Sequence, residues 1–144
     1  MMPKVFIDIN VLLDFFLKRD GFVGAEGILQ LASQDLIDAY TSSSVLQTVS
    51  FYLQKDRSTA IAKKLLLELL TIVNVIEADR QSILQALISD FKDIEDAIHY
   101  FCALNRKMDY VITSDLGFQK SALPILPIIG VKAFLDKFSD SNFS

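Results

Sequence analysis

The sequence predicts an α/β protein, a three-layer α/β/α sandwich around a central parallel sheet of four to five strands. Short β-prone segments alternate along the chain with single helices or helix pairs, and each interval is long enough for a crossover between parallel strands. Helices on both faces of a parallel sheet give three layers. With 144 residues, 51% of them hydrophobic, the chain is large enough for one domain with its own core.

The first half of the chain is predicted to contain two strands and four helices. Residues 4–8 are apolar and β-prone and follow Pro3, which favours a strand. Asn10, Ser44 and Ser58 each precede a segment with helical spacing and are predicted N-caps. In order, the predicted elements are a strand at 4–8, helices at 11–18 and 25–33, a strand at 39–41, a helix at 44–54 and a helix after Ser58.

The second half continues the alternation. Residues 71–76 are rich in β-branched side chains, which favours a strand. The predicted elements are a strand at 71–76, helices at 79–89 and 94–105, strands at 110–113 and 127–129, and a closing helix at 131–138. Residues 1–138 are therefore expected to form one domain, with 139–144 as a flexible C-terminal tail.

Composition excludes several classes of protein. No uninterrupted apolar run reaches the roughly 18 residues of a membrane span. Asp8 falls where a signal peptide would be apolar, and the single Cys102 fits a reducing compartment, so a cytoplasmic protein is expected. The formal net charge of −4 counts against a nucleic-acid partner. A site built from carboxylates, however, contributes negative charge of its own.

Two acidic residues follow predicted strands. Asp8 ends the first strand, and Asp115 follows the strand at 110–113 after one intervening serine. In open parallel sheets, ligands bind beyond the carboxyl ends of the strands. Both carboxylates are therefore expected at the same edge of the sheet.

A second group of acids enters the helix at 94–105. Asp93 and Asp96 are three positions apart and share a helix face, whereas Glu95 points elsewhere. Each acid by itself is explained by the preference of helix starts for negative charge. Clustered carboxylates repel one another, however, and a hard cation such as Mg²⁺ or Mn²⁺ stabilises them. Such an ion polarises a phosphodiester and lowers the pKa of a bound water.

Three segments carry motifs that occur in this order in one known family. They are VFIDINVLLDFF, FKDIEDAIHYFCAL and VITSDLGF, and a terminal strand and helix follow in LPIIGVKAFL. The chain thus resembles PIN domains, in particular VapC-like and PilT N-terminus-like toxin ribonucleases. The resemblance implies a Mg²⁺- or Mn²⁺-dependent endoribonuclease, a hydrolase, in which Asp8, Asp96 and Asp115 hold metal and Asn10 orients Asp8. No organic cofactor is expected.

The chain departs from this family pattern at one acidic position. PIN nucleases usually carry a glutamate on the helix after the second strand, and Thr48 stands there in this chain. The resemblance is thus to a branch without the second acid. Asp93, one helical turn from Asp96, is expected to compensate as a metal ligand. Thr48 and Ser114, which adjoins Asp115, are expected to support the site.

Two other functions remain open from the sequence. A catalytically degenerate PIN domain that binds RNA or a protein would agree with the replacement of the usual glutamate by Thr48 and with the net negative charge of the chain. A receiver-like domain that forms an aspartyl phosphate also places acids at strand ends, but it needs paired acids where this chain has Asp8 alone. His99, the sole histidine, either assists Asp96 or packs in the interior, and Cys102 is predicted to be a small core side chain.

The resemblance implies an RNA substrate and, for a toxin, an antitoxin protein as partner. A basic cluster either tracks the RNA backbone or is a solvated helix end: Lys55, Arg57, Lys63 and Lys64. The chain has 11 phenylalanines, and an excess beyond the needs of the core favours a homodimer. The aromatic residues on or near the early helices are Phe15, Phe16, Phe22, Phe51 and Tyr52.

Overall fold

Five strands form one sheet in the computed structural model of the chain, which describes residues 2–143, with side chains for 2–139. The strands are β1 (Lys4–Ile7), β2 (Asp38–Ser42), β3 (Val73–Ile76), β4 (Tyr110–Ile112) and β5 (Ile128–Ile129). Their spatial order is β3-β2-β1-β4-β5, and every pairing is parallel. The predicted parallel sheet is confirmed.

The helices cover the sheet in two sets. They are α1 (Ile9–Phe16), α2 (Phe22–Ser33), α3 (Ser43–Asp56), α4 (Thr59–Leu69), α5 (Arg80–Ile88), α6 (Ile94–Asn105), α7 (Leu116–Lys120) and α8 (Val131–Phe143). Helices α1, α2, α3, α4 and α8 form one chain of contacts, whereas α5 packs mainly on α6. This arrangement confirms the predicted three-layer α/β/α architecture. Within residues 2–143, no helix has the length and apolar character needed to cross a membrane.

Strand β1 occupies the centre of the sheet and sets the position of the candidate site. Its neighbours are β2 and β4: β2 and β3 lie on one side of β1, and β4 and β5 lie on the other. Ile7 is in register with Ile112, and the backbone N–H of Asp8 donates to the carbonyl of Ile112 at 3.0 Å. The segments that follow β1 and β4 therefore leave the sheet side by side. This junction is the switch point at which such folds bind ligands.

The side chains of β1 are buried in the core, in agreement with its central position in the sheet. Val5, Phe6 and Ile7 are each fully buried, as expected for a strand with helices on both faces. Tyr100 on α6 is also fully buried, and its hydroxyl donates to the carbonyl of Leu126 at 2.8 Å. This bond satisfies the polar end of a large apolar ring. It also ties α6 to the segment before β5.

Two predicted N-caps are wrong by two positions. Helix α1 begins directly after β1, so that Asp8 is the N-cap and Asn10 lies inside the helix. Likewise α3 is capped by Ser42, whose hydroxyl accepts from the backbone N–H of Val45, and not by Ser44. Asp8 directly follows β1, and Ser42 is the last residue of β2, so in both places the cap joins strand and helix without a loop. The predicted cap at Ser58 is confirmed.

The C-terminal third differs from expectation in two places. Helix α7 was not predicted, because five residues are too few for helical periodicity to be visible. Helix α8 runs beyond the predicted end at Phe138 and includes 139–143 of the expected tail. Ser144, the last residue of that tail, lies outside the described residues. The flexibility of 139–144 stays a prediction.

Glycines on α2 allow α8 to pack closely, and they provide a matched test of this packing. A Cβ added at Gly24 would stand 2.8 Å from Cγ1 of Val131, whereas one at Gly27 would meet Leu135 at 3.4 Å. Both substitutions to alanine improve helix propensity equally, by about 1 kcal/mol. Overpacking against the stiff Val131 costs about 1–3 kcal/mol.

We therefore expect Gly24→Ala to lower the free energy of unfolding relative to Gly27→Ala by about 1 kcal/mol or more, measured by urea denaturation. Gly27→Ala is expected to leave stability unchanged or to raise it. Equal stability of the two variants would contradict the close approach of α8 at Gly24.

Candidate functional site

Asp8 is a buried carboxylate at the centre of the sheet edge. The residue is 3% exposed and extended, at the N-cap position of α1, but its side chain makes no capping bond. Its Oδ2 instead accepts a hydrogen bond from Oγ1 of Thr113 at 2.8 Å. A buried carboxylate that is not used as a cap is available for another role.

Thr113, fully buried just after β4, connects the predicted site residues. Its hydroxyl donates to Asp8 and accepts from the backbone N–H of Asp115 at 3.1 Å. The side-chain amide nitrogen of Asn10 lies 3.3 Å from the same hydroxyl, and the amide oxygen accepts from the backbone N–H of Ser114 at 3.1 Å. One threonine and one asparagine thus fix the segments after β1 and β4 relative to each other.

The role of Thr113 was missed from the sequence, although the residue lies within VITSDLGF. The available signal was its position, since a polar residue at the end of a buried strand needs a partner. Ser114 contributes a backbone N–H to this network, and its side chain is exposed.

Asp115 faces the site from the start of α7. Its Oδ1 accepts from the backbone N–H groups of Gly117 at 2.9 Å and of Phe118 at 3.3 Å. The carboxylate is therefore the N-cap of α7, which holds it in one orientation. Within the described residues, Oδ2 has no hydrogen-bond partner.

Asp93 and Asp96 approach from α6. Asp93 is the N-cap of the helix, and its Oδ1 accepts from the backbone N–H of Asp96 at 2.9 Å. The carboxyl of Asp96 accepts no hydrogen bond from the described residues. Burial, followed by the negative charges of Asp93, Asp8 and Asp115, raises the pKa of Asp96 to about 7. The predicted acids therefore interact electrostatically at one edge of the sheet.

None of these acids forms an ion pair within the described residues. The ion pairs among the described residues are Arg57–Asp56 and Lys132–Asp136, both outside this cluster. As placed in the described part of the chain, no three carboxylate, imidazole or thiolate groups stand close enough to enclose an ion. The mutual repulsion that raises the pKa of Asp96 also favours such separation. In chemical terms the donor set fits a hard cation, because it consists of carboxylate oxygens with uncompensated charge.

A pocket of about 900 Å³ adjoins the cluster, and we refer to it as the acid-lined pocket. Four acidic residues line it: Asp90, Asp93, Asp96 and Asp115. The remaining walls carry apolar and basic side chains, among them Ile88, Phe91, Leu123, Lys92 and Lys120. Asp8 is not part of the pocket lining and stands deeper, at the end of β1.

Thr48 lies in a second pocket, of about 710 Å³, which we call the serine–histidine pocket. This pocket is bounded by the start of α3, the residues after β3 and the opposite side of α6. The hydroxyl of Thr48 donates to the backbone carbonyl of Ser44 at 3.2 Å. The acid-lined pocket does not include Thr48. The residue that replaces the usual glutamate is thus not brought to the same pocket as Asp96.

His99 is buried and does not hydrogen-bond to Asp96. Its Nε2 lies 3.1 Å from the hydroxyl oxygens of both Ser42 and Ser44. Burial lowers the pKa of His99, although the charges of Asp8, Glu95 and Asp93 oppose this effect. Nδ1 has no hydrogen-bond partner within the described residues. This geometry favours the packing interpretation, in which neutral His99 links α6 to the β2–α3 junction.

Two other sequence features are placed away from the acids. Cys102 is buried and donates to the carbonyl of Glu77 at 3.4 Å, and burial raises the pKa of its thiol. This placement agrees with the prediction that Cys102 is a small core side chain. In the described chain, neither pocket is lined by the basic residues Lys55, Arg57, Lys63 and Lys64.

Comparison with known proteins identifies relatives of the chain. The family model described as PIN domain matches residues 4–117. Ribonuclease VapC1 of Aquifex aeolicus is 27% identical over 128 residues, which cover 85% of this chain and 89% of the relative.

Solved structures have a similar fold at low identity. PAE2754 from Pyrobaculum aerophilum has a TM-score of 0.66 at 14% identity and covers 96% of this chain and 90% of its own. A toxin–antitoxin complex from Klebsiella pneumoniae has a TM-score of 0.62 at 20% identity, with coverage of 85% and 94%.

Proposed function

This chain belongs to the PIN domain family, and from this membership we propose that it is a metal-dependent endoribonuclease that hydrolyses RNA phosphodiester bonds. The observation that carries the proposal is the convergence of Asp8, Asp96 and Asp115 from three separate elements on one sheet edge, where their charges interact. The similarity to a ribonuclease over most of both chains supports it.

Asp8, Asp96 and Asp115 would hold Mg²⁺ or Mn²⁺, with Asp93 as a further carboxylate. When bound, such an ion neutralises charge that develops on the phosphate and activates water. The other side chains orient these acids. Thr113 fixes Asp8 through its hydroxyl, and Asn10 holds the loop that carries Asp115.

The fourth carboxylate is proposed to be Asp93. It follows the segment after α5 and adjoins Asp96, so it lines the same pocket. Thr48 is uncharged and lies in the other pocket, so no ligand role follows from its present position. Asp93 would therefore fill the role that glutamate has in other branches.

Partners are proposed from the same family membership. The chain is the toxin of a pair and is inhibited by an antitoxin protein, by analogy with the Klebsiella pneumoniae complex. We also propose a homodimer. Of the aromatic residues that suggested it, Phe16 is buried, whereas Phe51 (55%) and Tyr52 (39%) are exposed. A dimer at tens of micromolar protein is expected in sedimentation equilibrium, and a monomer would contradict it.

The deciding experiment is RNA cleavage by the purified chain. A panel of single-stranded and structured RNAs is incubated with Mn²⁺, with Mg²⁺ and with EDTA. Cleavage that requires the metal supports the nuclease. RNA binding without cleavage in either metal, by protein shown to be folded, would favour the alternative of a binding module.

Thr113→Val is expected to weaken metal-dependent cleavage about 10- to 100-fold, the usual effect of losing a residue that orients a ligand. The shape is kept, but the bonds to Asp8 and Asp115 are lost. The measurement is cleavage rate against Mn²⁺ concentration, where the midpoint should rise.

Thr41→Val is the matched control for this variant. Thr41 is also fully buried near a strand end, and its hydroxyl donates to the backbone carbonyl of Ile7 at 2.9 Å and not to a carboxylate. Thr41→Val loses one buried hydrogen bond and therefore reports the effect of a general loss of stability on cleavage. An equal shift of the metal midpoint in the two would exclude a specific role for Thr113.

A further inference from the structure

We propose that Tyr100 is a positioning residue for the acids, because its hydroxyl links α6 to the connection between β4 and β5. This connection comprises residues 113–127 and carries Asp115 near its start. Helix α6 carries Asp96 one turn before Tyr100. The link therefore limits how far Asp115 can move from Asp96. Its use in holding a metal rests on the proposed function, whereas the link itself requires no metal.

The hydroxyl of Tyr100 contacts three backbone groups of the connection. It donates to the carbonyl of Leu126 at 2.8 Å, with the carbonyl of Leu123 as a second acceptor at 3.3 Å. It also accepts from the backbone N–H of Leu123 at 3.0 Å. Tyr100 and Leu126 are fully buried. Because buried polar groups are costly to leave without partners, these bonds favour one position of the connection beside α6.

Within the described residues, no other hydrogen bond joins α6 to the connection. The remaining side-chain bonds of the helix to other elements lead to β2, α3, α5 and the residue after β3. Helices α6 and α7 make few direct contacts, and side chains of both line the acid-lined pocket. Tyr100 therefore provides the polar link that determines where the connection lies relative to α6.

Bonds inside the connection extend this link to Asp115. Asp115 caps α7 through the backbone N–H groups of Gly117 and Phe118. At the other end of this five-residue helix, the backbone N–H of Ser121 donates to the carbonyl of Phe118 at 3.0 Å, two residues before Leu123. A helix this short is not stable by itself, so its orientation depends on what holds its two ends. The β4 network holds the start, and Tyr100 holds the end.

The ring of Tyr100 and its hydroxyl have separate roles. The ring packs between Phe91, at 5.0 Å, and Phe101, at 5.5 Å, and a phenylalanine would fill the same space. The hydroxyl adds nothing to this packing, and its burial is compensated only by the bonds to the connection. Burial also raises the pKa of Tyr100, so the hydroxyl keeps its proton and remains a donor.

The link has a consequence for metal affinity. Like charges at the sheet edge repel one another and favour separation of α7 from α6. A link formed on folding opposes this separation before any ion arrives, so less of the binding free energy is used to bring the acids together. Loss of the hydroxyl should therefore weaken metal binding without removing a ligand.

The first test is amide hydrogen exchange of Tyr100→Phe in EDTA, followed by NMR. The N–H of Leu123 loses its acceptor and should exchange about tenfold faster than in the wild type. The N–H groups of Gly117 and Phe118 report the cap made by Asp115, and they should exchange roughly threefold faster or more. A hydroxyl with a purely local role would change the exchange of Leu123 alone.

Two variants control for the chemical change and for the helix. Tyr40→Phe makes the same substitution on β2, where the hydroxyl donates to Asp38 at 2.8 Å. Asn105→Ala removes two bonds from α6 to α5, at 2.9 and 2.7 Å, and none to the connection. Both should leave exchange in the connection as it is in the wild type.

The second test is the binding of Mn²⁺ alone, measured by titration calorimetry. The Kd of Tyr100→Phe for Mn²⁺ should be about tenfold higher than that of the wild type, the lower end of the effect of groups that orient metal ligands. Tyr40→Phe and Asn105→Ala should bind as the wild type does. In saturating Mn²⁺, kcat for RNA cleavage should change less than about twofold, because all the acids remain.

The outcomes separate this inference from the proposed function. Faster exchange at Leu123 without a change at Gly117 and Phe118 would overturn the positioning role and leave the nuclease intact. An unchanged Kd in a wild-type background that binds Mn²⁺ would do the same. If the wild type neither binds Mn²⁺ nor cleaves RNA, the proposed function fails, and exchange alone decides the inference. Faster exchange at all three amides then supports it, and exchange equal to that of Tyr40→Phe overturns it.

Discussion

Asp8→Asn is expected to lower kcat/KM for metal-dependent RNA cleavage about a thousandfold. Loss of a ligand removes roughly 4 kcal/mol of transition-state stabilisation, and each 1.36 kcal/mol is a factor of ten in rate. The fold should persist, because asparagine keeps the shape of the side chain and an oxygen that can accept from Thr113. The measurement is cleavage of a mapped RNA in saturating Mn²⁺, with thermal unfolding in EDTA as the check of folding.

Asp136→Asn is the control for the loss of one negative charge. Asp136 pairs with Lys132 on the exposed surface of α8 at 2.6 Å, and such solvent-exposed pairs contribute little to stability. Its cleavage rate should equal that of the wild type. Folded Asp8→Asn protein that cleaves at the wild-type rate would show that the acids at this sheet edge are not the catalytic centre.

The convergence of the acids was predictable because it follows from the sheet alone. Once β1 and β4 are recognised as parallel strands, Asp8 and Asp115 must emerge at the same edge. Predicting that these two residues lie close together requires no knowledge of side-chain contacts. Asp96, at the start of α6, was assigned to the site by the resemblance of its segment to the family motif and not by the sheet.

The contacts that orient the acids were not predictable in the same way. Thr113 and Asn10 meet across 103 positions of sequence, and this contact depends on the register of β1 with β4. A one-residue change of register would turn Thr113 toward the other face. The spacing of residues along the chain does not report that register.

The positions of His99 and Thr48 show a second limit of sequence reasoning. Residues near one another along α6 line different pockets, because Asp96 faces one side of the helix start and His99 faces the other. Helical spacing placed His99 on the face of Asp96. The contacts of its ring with Ser42 and Ser44 instead direct it toward β2 and α3.

Asp96 makes the stability of the metal-free protein depend on pH. Its pKa is about 7 in the folded chain, against an ordinary value of 3.8. Between these two values the folded state binds more protons than the unfolded state, so the free energy of unfolding falls as pH rises through this window. His99 acts in the opposite direction below its ordinary pKa of 6.5, because its pKa is lowered by burial. Asp96→Asn therefore has to be compared with the wild type at each pH.

We expect the Tm of Asp96→Asn, measured in EDTA, to rise relative to that of the wild type as pH increases from 4 to 8. The variant lacks the carboxylate whose ionisation disfavours the folded state. A constant Tm difference across this range would contradict the raised pKa of Asp96, which comes from its burial and from the neighbouring acids. Asp136→Asn again serves as control and should follow the wild type.

Addition of Mn²⁺ should make the wild type more stable than Asp96→Asn, because the ion binds the ionised carboxylates of the folded chain. At 100 times Kd, binding adds ~2.7 kcal/mol to the free energy of unfolding. The rise in wild-type Tm on adding Mn²⁺ should be larger at pH 8 than at pH 6, since the ion must displace the proton held by Asp96 at the lower pH. Asp96→Asn should show a smaller rise at both. The carboxylates whose ionisation lowers the stability of the metal-free protein would thus raise its stability once the ion is bound.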